Sequence, residues 1–143
     1  MEPEFSEPAR NVFFFGAQEA KRLGADRLDT EHLLLGLVHQ VESAAILNRL
    51  GISPERIRAE VERQAPRGPS PSTDNIGLAP HGKQALSFAF EEATQFGDEF
   101  VGPEHLLLGL TREEAGLGGK ILRALADNPE GLRPQLADSR ARK

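Results

Sequence analysis

The sequence contains no cysteine, which excludes disulfide bonds and thiolate chemistry and is compatible with a reducing compartment. No apolar run approaches the roughly 20 residues that a membrane-spanning helix needs. The chain opens with Met-Glu-Pro-Glu, which is acidic rather than apolar and therefore unlike a secretory signal. These absences predict a soluble, cytoplasmic protein that does not bind membranes.

Clustered positive charge is lacking too. The 143 residues include 17 Lys and Arg, scattered along the chain, against 22 Asp and Glu, for a formal net charge of −5. Because phosphate backbones are bound by clustered cations, we expect no nucleic-acid partner. Hydrophobic residues make up 38% and charged residues 27%, the balance of a soluble domain with a core of its own.

What the chain does have is an internal repeat. The heptapeptide E-H-L-L-L-G-L occupies residues 31–37 and recurs letter for letter at residues 104–110, an offset of 73. The same offset aligns Phe15 with Phe88. An identical match of this length indicates a tandem duplication.

The duplication defines the expected domain organisation. A helical unit of about 70 residues has a small core of its own, so we expect a single domain over residues 1–143 in which one copy packs against the other. The assigned segments are repeat one at residues 5–64, a linker rich in Pro, Gly and Ser at 65–77, repeat two at 78–137, and a tail at 138–143.

Each copy is predicted to contain four helices, eight in all, with the copies related by a pseudo-twofold axis. Asp29 is expected to cap the second helix of copy one, and Gly102 begins its counterpart with Pro103 at the first helical position. The third helices are expected at residues 42–50 and 118–126. No segment alternates apolar and polar residues in the manner of a strand, so the predicted fold class is all-α.

The leucines of the two heptapeptides are predicted to be core, since a helix this apolar is buried on most of its sides. Gly36 and Gly109 would let neighbouring helices approach closely. Residues 13–15 are three phenylalanines, which span about 200° of a helix surface and exceed one buried face. The surplus either fills an interface between the copies or forms an exposed apolar groove for a partner. The groove candidates are Phe14, Phe15, Phe88 and Phe90.

Two features resemble catalytic or cofactor sites. His32 and His105 each follow a glutamate, which raises a small metal-dependent hydrolase as an alternative, but adjacent helical residues point about 100° apart and chelate poorly. Residues 77–84 nearly fit the phosphate-binding loop G-x-x-x-x-G-K-[ST], but they end in Gln84, which has no hydroxyl for Mg²⁺. We therefore expect no bound metal, no cofactor and no catalytic residue.

Glu31 and Glu104 are the most specific candidates for ligand binding. A carboxylate in the first turn of a helix stabilises the helix dipole by roughly 0.3–1 kcal/mol, and that role alone explains both. A carboxylate beside the amino terminus of another helix also offers an anion and a partial positive charge side by side. Such a pair suits a ligand with a guanidinium next to a phosphate.

The order of these motifs resembles the Clp N-terminal repeat domain, most closely the type found on ClpC, an AAA+ unfoldase. The resemblance rests on the doubled heptapeptide, on glycines that end the preceding helices, and on I-L-x-x-L at residues 46–50 and 121–125. It covers about residues 5–136 and implies eight helices in two four-helix repeats. It further implies a non-enzymatic role in docking substrates and adaptor proteins for an unfoldase ring coupled to a protease.

The resemblance also implies that Glu31 and Glu104 receive arginine-phosphorylated proteins. Ser6 keeps the hydroxyl that opens the first helix of each family repeat, and Ala79 stands at the matching position of copy two. The chain is then expected to be either a fragment of a longer unfoldase or a stand-alone adaptor or regulator, and Met1 and the trailing residues slightly favour the second. A structural accessory subunit that binds a Clp ATPase or protease ring is the alternative.

Overall fold

The computed structural model describes residues 3–68 and 76–141. Copy one consists of helices α1 Glu7–Arg22, α2 Thr30–His39, α3 Val41–Arg49 and α4 Pro54–Gln64. Copy two consists of helices α5 Pro80–Phe96, α6 Pro103–Arg112, α7 Leu117–Leu125 and α8 Leu132–Ala141, with a single 3₁₀ turn at Pro129–Gly131. The all-α prediction of two four-helix repeats is confirmed.

The helix ends follow the local signals of the sequence. Asp29 caps α2, and Gly102 caps α6 with Pro103 at the first helical position, as predicted. The glycines that follow α1, α3 and α5 all have positive φ, between 72° and 77°, which is the left-handed conformation that glycine adopts at low cost. The third helices each begin one residue before their predicted starts.

Helices α2 and α6 lie at the centre of the molecule. Each contacts its partners within its own copy and also three helices of the other copy. Every residue from 30 to 37 and from 101 to 110 is buried, which explains why the repeated heptapeptide is apolar around most of the helix. The predicted close approaches are present, because α1 crosses α2 at Gly36 and α5 crosses α6 at Gly109 with backbone against backbone.

Within residues 3–68 and 76–141, four two-residue strands join the copies, a feature that the sequence prediction missed. They are β1 Glu4–Phe5, β2 Arg27–Leu28, β3 Gly77–Leu78 and β4 Phe100–Val101. β1 pairs in parallel with β4, and β2 pairs in parallel with β3. The offset of 73 relates β1 to β3 and β2 to β4, so each ladder exchanges equivalent strands between the copies, as a pseudo-twofold axis requires.

The ends of the predicted segments differ in detail. α4 ends at Gln64 and β3 begins at Gly77, while residues 69–75 of the expected linker lie outside the described residues. α8 continues through Ala141, so the first four residues assigned to a tail are helical. Within the described ranges, no helix is both long and apolar enough to cross a membrane. The cytoplasmic location stays a prediction.

Candidate functional site

The first turn of α2 holds Glu31 in a buried position. The Asp29 side chain accepts a hydrogen bond from the Thr30 N–H at 2.7 Å, and the Asp29 N–H donates to His32 Nδ1 at 2.9 Å. This reciprocal capping fixes the first turn of α2 and the orientation of the His32 ring. Glu31 lies between Asp29 and His32 in the sequence and, like His32, is buried.

The surroundings of Glu31 include the start of α5. Ala79, which precedes that helix, donates its N–H to the Leu28 carbonyl at 2.9 Å through the β2–β3 ladder. Burial raises the pKa of the Glu31 carboxyl, and the negative charge of Asp29 raises it further. A hydrogen bond from the Glu31 backbone N–H and the charge of His81 lower that pKa, but the net shift is upward. Glu31 is therefore a carboxylate held near the amino-terminal end of a helix from the other copy.

A cavity of about 610 Å³ opens beside this carboxylate. Its walls come from the loop between α1 and α2, from the start of α2, from Ala79, and from residues 66–68 after α4. The side chains of the wall that bear on binding are Asp26, Arg27, Asp29, Glu31, His32 and Arg67. The cavity thus combines acidic and basic groups within reach of one ligand.

The equivalent end of copy two is built differently. Glu104 is buried, and the Gly102 N–H donates to His105 Nδ1 at 2.9 Å, as in copy one. His105 Nε2 lies 2.8 Å from Asp98 Oδ2. A side chain at Gly102 would collide with the Glu104 carboxylate, so the glycine makes room for that group. The two glutamates consequently have different neighbours.

Ser6 lies at the copy-two end rather than beside Glu31. Its hydroxyl accepts a hydrogen bond from the Ala9 N–H at 3.2 Å and caps α1. Its own N–H donates to the Val101 carbonyl at 3.0 Å, which places Ser6 against the segment that leads into Glu104. The structure therefore brings the stretch around Ser6 toward that of Glu104, and the stretch around Ala79 toward that of Glu31.

The four groove candidates lie in different surroundings. Phe14 is 60% exposed, and its ring contacts that of Phe15 at 5.7 Å. Phe15 also stacks on the His39 ring at 5.2 Å. Phe88 lies 4.1 Å below the guanidinium of Arg112, a cation–π contact.

Phe90 belongs to an aromatic cluster between the copies. Its ring lies 5.0 Å from that of Phe5, which in turn lies 4.9 Å from Phe13. Part of the surplus of phenylalanine therefore fills the interface between the copies, which was one of the two expected outcomes. Among the candidates, Phe14 is the one whose ring is mostly exposed.

Each copy contains an ionic cluster around a glutamate, Glu19 or Glu92, that the sequence did not lead us to predict. Burial tends to raise the pKa of the Glu19 carboxyl, but hydrogen bonds and charge from Arg22, with the charges of Arg58 and His39, together lower it. Arg58 Nη1 on α4 lies 3.3 Å from Glu19 Oε2, which ties α1 to α4.

In copy two the buried Glu92 is contacted by Arg112 at 3.1 Å and by Arg133 of α8 at 2.7 Å. Glu19 and Glu92 are related by the repeat offset of 73, and Arg58 and Arg133 by the slipped offset of 75. The recurrence of a charged residue at one helical position in both copies was the signal that could have found this cluster.

His32 and His105 take part in the capping of α2 and α6. His32 and His105 each accept a backbone N–H at Nδ1, which leaves only Nε2 for any other partner. Over residues 3–68 and 76–141, no group of three or more His, Cys, Asp or Glu side chains is placed to hold a metal ion.

Comparison with known proteins places this geometry in a family. Residues 4–125 match the family described as the Clp repeat (R) N-terminal domain. Chloroplastic ClpC1 of Oryza sativa subsp. japonica is 37% identical over 134 residues, which cover 92% of this chain but 15% of that chaperone. The chain thus spans about one seventh of the length of such relatives.

Solved structures agree with this placement. The N-terminal domain of the chaperone ClpD from Arabidopsis thaliana is 28% identical, with a TM-score of 0.75 and coverage of 95% of this chain and 96% of that domain. A ClpV N-domain in complex with a VipB peptide is 15% identical and has the same fold, with a TM-score of 0.72 and coverage of 94% and 88%. By sequence and by fold, the chain belongs to the Clp repeat N-terminal domain family.

Proposed function

We propose that this chain is a binding module that docks substrates or adaptor proteins for a Clp-type unfoldase and its protease. The observation that carries the proposal is the 37% identity to ClpC1 over 92% of the chain. The ClpV N-domain that shares the fold was solved with a VipB peptide bound, which supports a peptide-docking role for such a scaffold. On this proposal the chain binds polypeptides and does not act on them chemically.

The exposed ring of Phe14 supports one docking surface. A phenylalanine that is 60% exposed on α1, next to the Phe15–His39 stack, offers apolar area and an aromatic face to a partner. Val41 at the start of α3 is 80% exposed and supplies a control, since its side chain is apolar and exposed but not aromatic.

Docking can be tested by capture from native lysate with quantitative mass spectrometry. Wild type is expected to retain Clp components or unfolded clients, Phe14→Ser to retain clearly less, and Val41→Ser to retain the same amount as wild type. Equal losses in both variants would contradict a specific surface at Phe14. Capture of the protease ring alone, without clients or adaptors, would favour the accessory-subunit alternative.

A narrower proposal concerns arginine-phosphorylated proteins. Glu31 can accept a guanidinium, and the amino-terminal end of α5, with Arg27 and Arg67 in the same cavity wall, can face the phosphate. Burial raises the pKa of Glu31, so its charge is costly without a cation, and a guanidinium would supply one. Glu104, with Ser6 on the facing segment, is the corresponding candidate in copy two.

Calorimetry with free phosphoarginine tests this narrower proposal. Glu31→Gln keeps the shape of the side chain and removes its charge, so it is expected to abolish the heat from the copy-one cavity without unfolding the protein. Glu104→Gln is the matched variant for the other end. Arginine and inorganic phosphate serve as separate ligand controls. No heat from wild type, or heat that both variants leave unchanged, would refute phosphoarginine binding at these glutamates.

A further inference from the structure

The two repeats differ at the position that faces their buried histidines. In copy two, His105 Nδ1 accepts the Gly102 N–H, so the ring proton sits on Nε2 and is donated to Asp98 Oδ2 at 2.8 Å. The Asp98 side chain is 24% exposed, so the carboxylate that accepts this hydrogen bond is partly accessible to solvent. Copy two therefore supplies its own carboxylate to satisfy a buried ring N–H.

Copy one lacks that carboxylate. The offset of 73 places Ala25 where Asp98 stands in copy two. His32 is only 2% exposed and uses Nδ1 in the same way, but its Nε2 has no hydrogen-bond partner among the described residues. Burial lowers the pKa of His32, although Asp29 and Glu19 oppose that effect, so the neutral ring with its proton on Nε2 is favoured. A buried donor without an acceptor is a costly arrangement.

Ala25 and His32 both line the cavity beside α2. We propose that this cavity binds the carboxylate of an acidic side chain from a docked polypeptide, which accepts the His32 Nε2–H in the place that Asp98 occupies in copy two. The bound group would complete in copy one the hydrogen bond that copy two makes within its own chain.

The charges around the two places favour this assignment. In copy two, Asp98 is followed in the sequence by Glu99 and Phe100, and all three line one cavity. In copy one the residues at those two positions are Asp26 and Arg27, so an arginine replaces the phenylalanine. Arg67 from the segment after α4, whose guanidinium also pairs with Glu62 at 2.7 Å, adds a second cation to the wall. Copy one also adds the acidic Asp29 where copy two has Gly102, but the two arginines outnumber it, so the net change in charge favours a bound carboxylate.

This site does not depend on the phosphoarginine proposal. The donor here is the ring N–H of His32, whereas phosphoarginine binding requires the Glu31 carboxylate. Glu31→Gln, which is expected to abolish phosphoarginine binding, should leave the carboxylate site intact or strengthen it by removing a nearby negative charge. The two proposals can therefore fail separately.

The test uses imidazole ¹⁵N NMR of the full chain titrated with acetate, the carboxylate alone, at constant ionic strength against sodium chloride. We expect a saturable shift of His32 Nε2 and no shift of His105. N-acetyl-aspartic acid amide is expected to reproduce the shift at lower concentration than its asparagine counterpart, by about tenfold for a charge-assisted bond.

Two variants complete the test. Ala25→Asp installs the copy-two carboxylate, so it is expected to remove the acetate response at His32. Asp98→Ala opens the matching place in copy two and is expected to create a response at His105, which keeps the proposal testable even if Ala25→Asp does not fold. The proposal is overturned by a wild-type His32 that ignores acetate, by a response that persists in Ala25→Asp, or by a response to inorganic phosphate but not to acetate.

Discussion

Gly36→Ala is expected to destabilise the protein even though alanine favours helices. A Cβ at this position would lie closer than 3.0 Å to the Val12 carbonyl oxygen and 3.1 Å from the Gly16 amide nitrogen. Both obstructing atoms belong to the backbone of α1, so no side chain can rotate away to relieve the contact. The only relief is for α1 and α2 to move apart.

The loss of stability can be estimated from the separation of α1 and α2. Alanine gains about 0.8–1.0 kcal/mol of helix propensity over glycine. A gap of about 0.5–1 Å forfeits a quarter to a half of each facing dispersion contact, and α1 against α2 is one of the two most extensive helix pairs in the molecule. Overpacked cores usually lose about 1–3 kcal/mol, and we expect a net loss near the upper end of that range.

Gly109→Ala repeats the experiment in copy two. Its Cβ would meet the Ala85 carbonyl oxygen at less than 3.0 Å and the Ala89 amide nitrogen at 3.1 Å, both on α5. Gly77→Ala is the control, because a Cβ there has nothing within 4 Å. The losses at Gly36 and Gly109 should therefore be similar, and the control should be close to neutral.

Urea denaturation followed by circular dichroism measures these free energies of unfolding. We propose that residues 5–64 and 78–137 form one domain, so either substitution should shift a single cooperative transition. A Gly36→Ala protein as stable as wild type would refute the role of backbone contact. Two transitions, with each substitution moving only one, would show instead that the copies unfold independently.

Further predictions concern the ionic clusters, the junction of the copies and pH. Glu92→Gln removes a buried carboxylate that is hydrogen-bonded by two partly exposed arginines and should cost about 1.5–3 kcal/mol of stability. Glu91→Gln removes an exposed carboxylate and should cost under about 1 kcal/mol in the same denaturation assay. Thr30→Val leaves the buried Gly118 N–H without the hydroxyl that accepts it at 3.0 Å and should cost about 1–3 kcal/mol, whereas Thr30→Ser should retain most of the stability. Burial lowers the pKa of His32 below 6.5 in the folded state, so the imidazole of the unfolded chain binds a proton more readily. The stability that comes from a neutral His32 is therefore present above pH 6.5 and is lost as the pH falls. An NMR titration in which His32 protonates at or above pH 6.5 would contradict this prediction.

Much of the fold could be predicted because its signals are local or repeated. Asp29 and Pro103 mark helix starts through side-chain and backbone chemistry within one turn. Gly36 and Gly109 recur inside identical heptapeptides, and a glycine in the middle of an apolar helix indicates close packing. These features need no knowledge of the rest of the chain.

The missed features depend on contacts between distant segments. A two-residue strand such as β2 is too short to show alternation, and its pairing with β3 involves residues 50 positions away. The partners of Glu19 and Glu92 lie at a slipped offset, so alignment of the repeats at 73 did not bring the two arginines together. The surroundings of the phenylalanines likewise depend on which segment of the other copy lies opposite each ring.

The two copies keep their internal supports and differ at the edges of their cavities. Through arginines, Glu19 links α1 to α4 and Glu92 links α5 to α8. The glycines at the helix crossings let α2 pack closely on α1 and α6 pack closely on α5. Neither Ala25 of copy one nor Asp98 of copy two, which occupy equivalent positions, belongs to these supports. One end consequently carries its own carboxylate, and the other presents a buried N–H donor. On the proposed function, the two ends of the duplicated scaffold would present chemically different groups to a docked polypeptide.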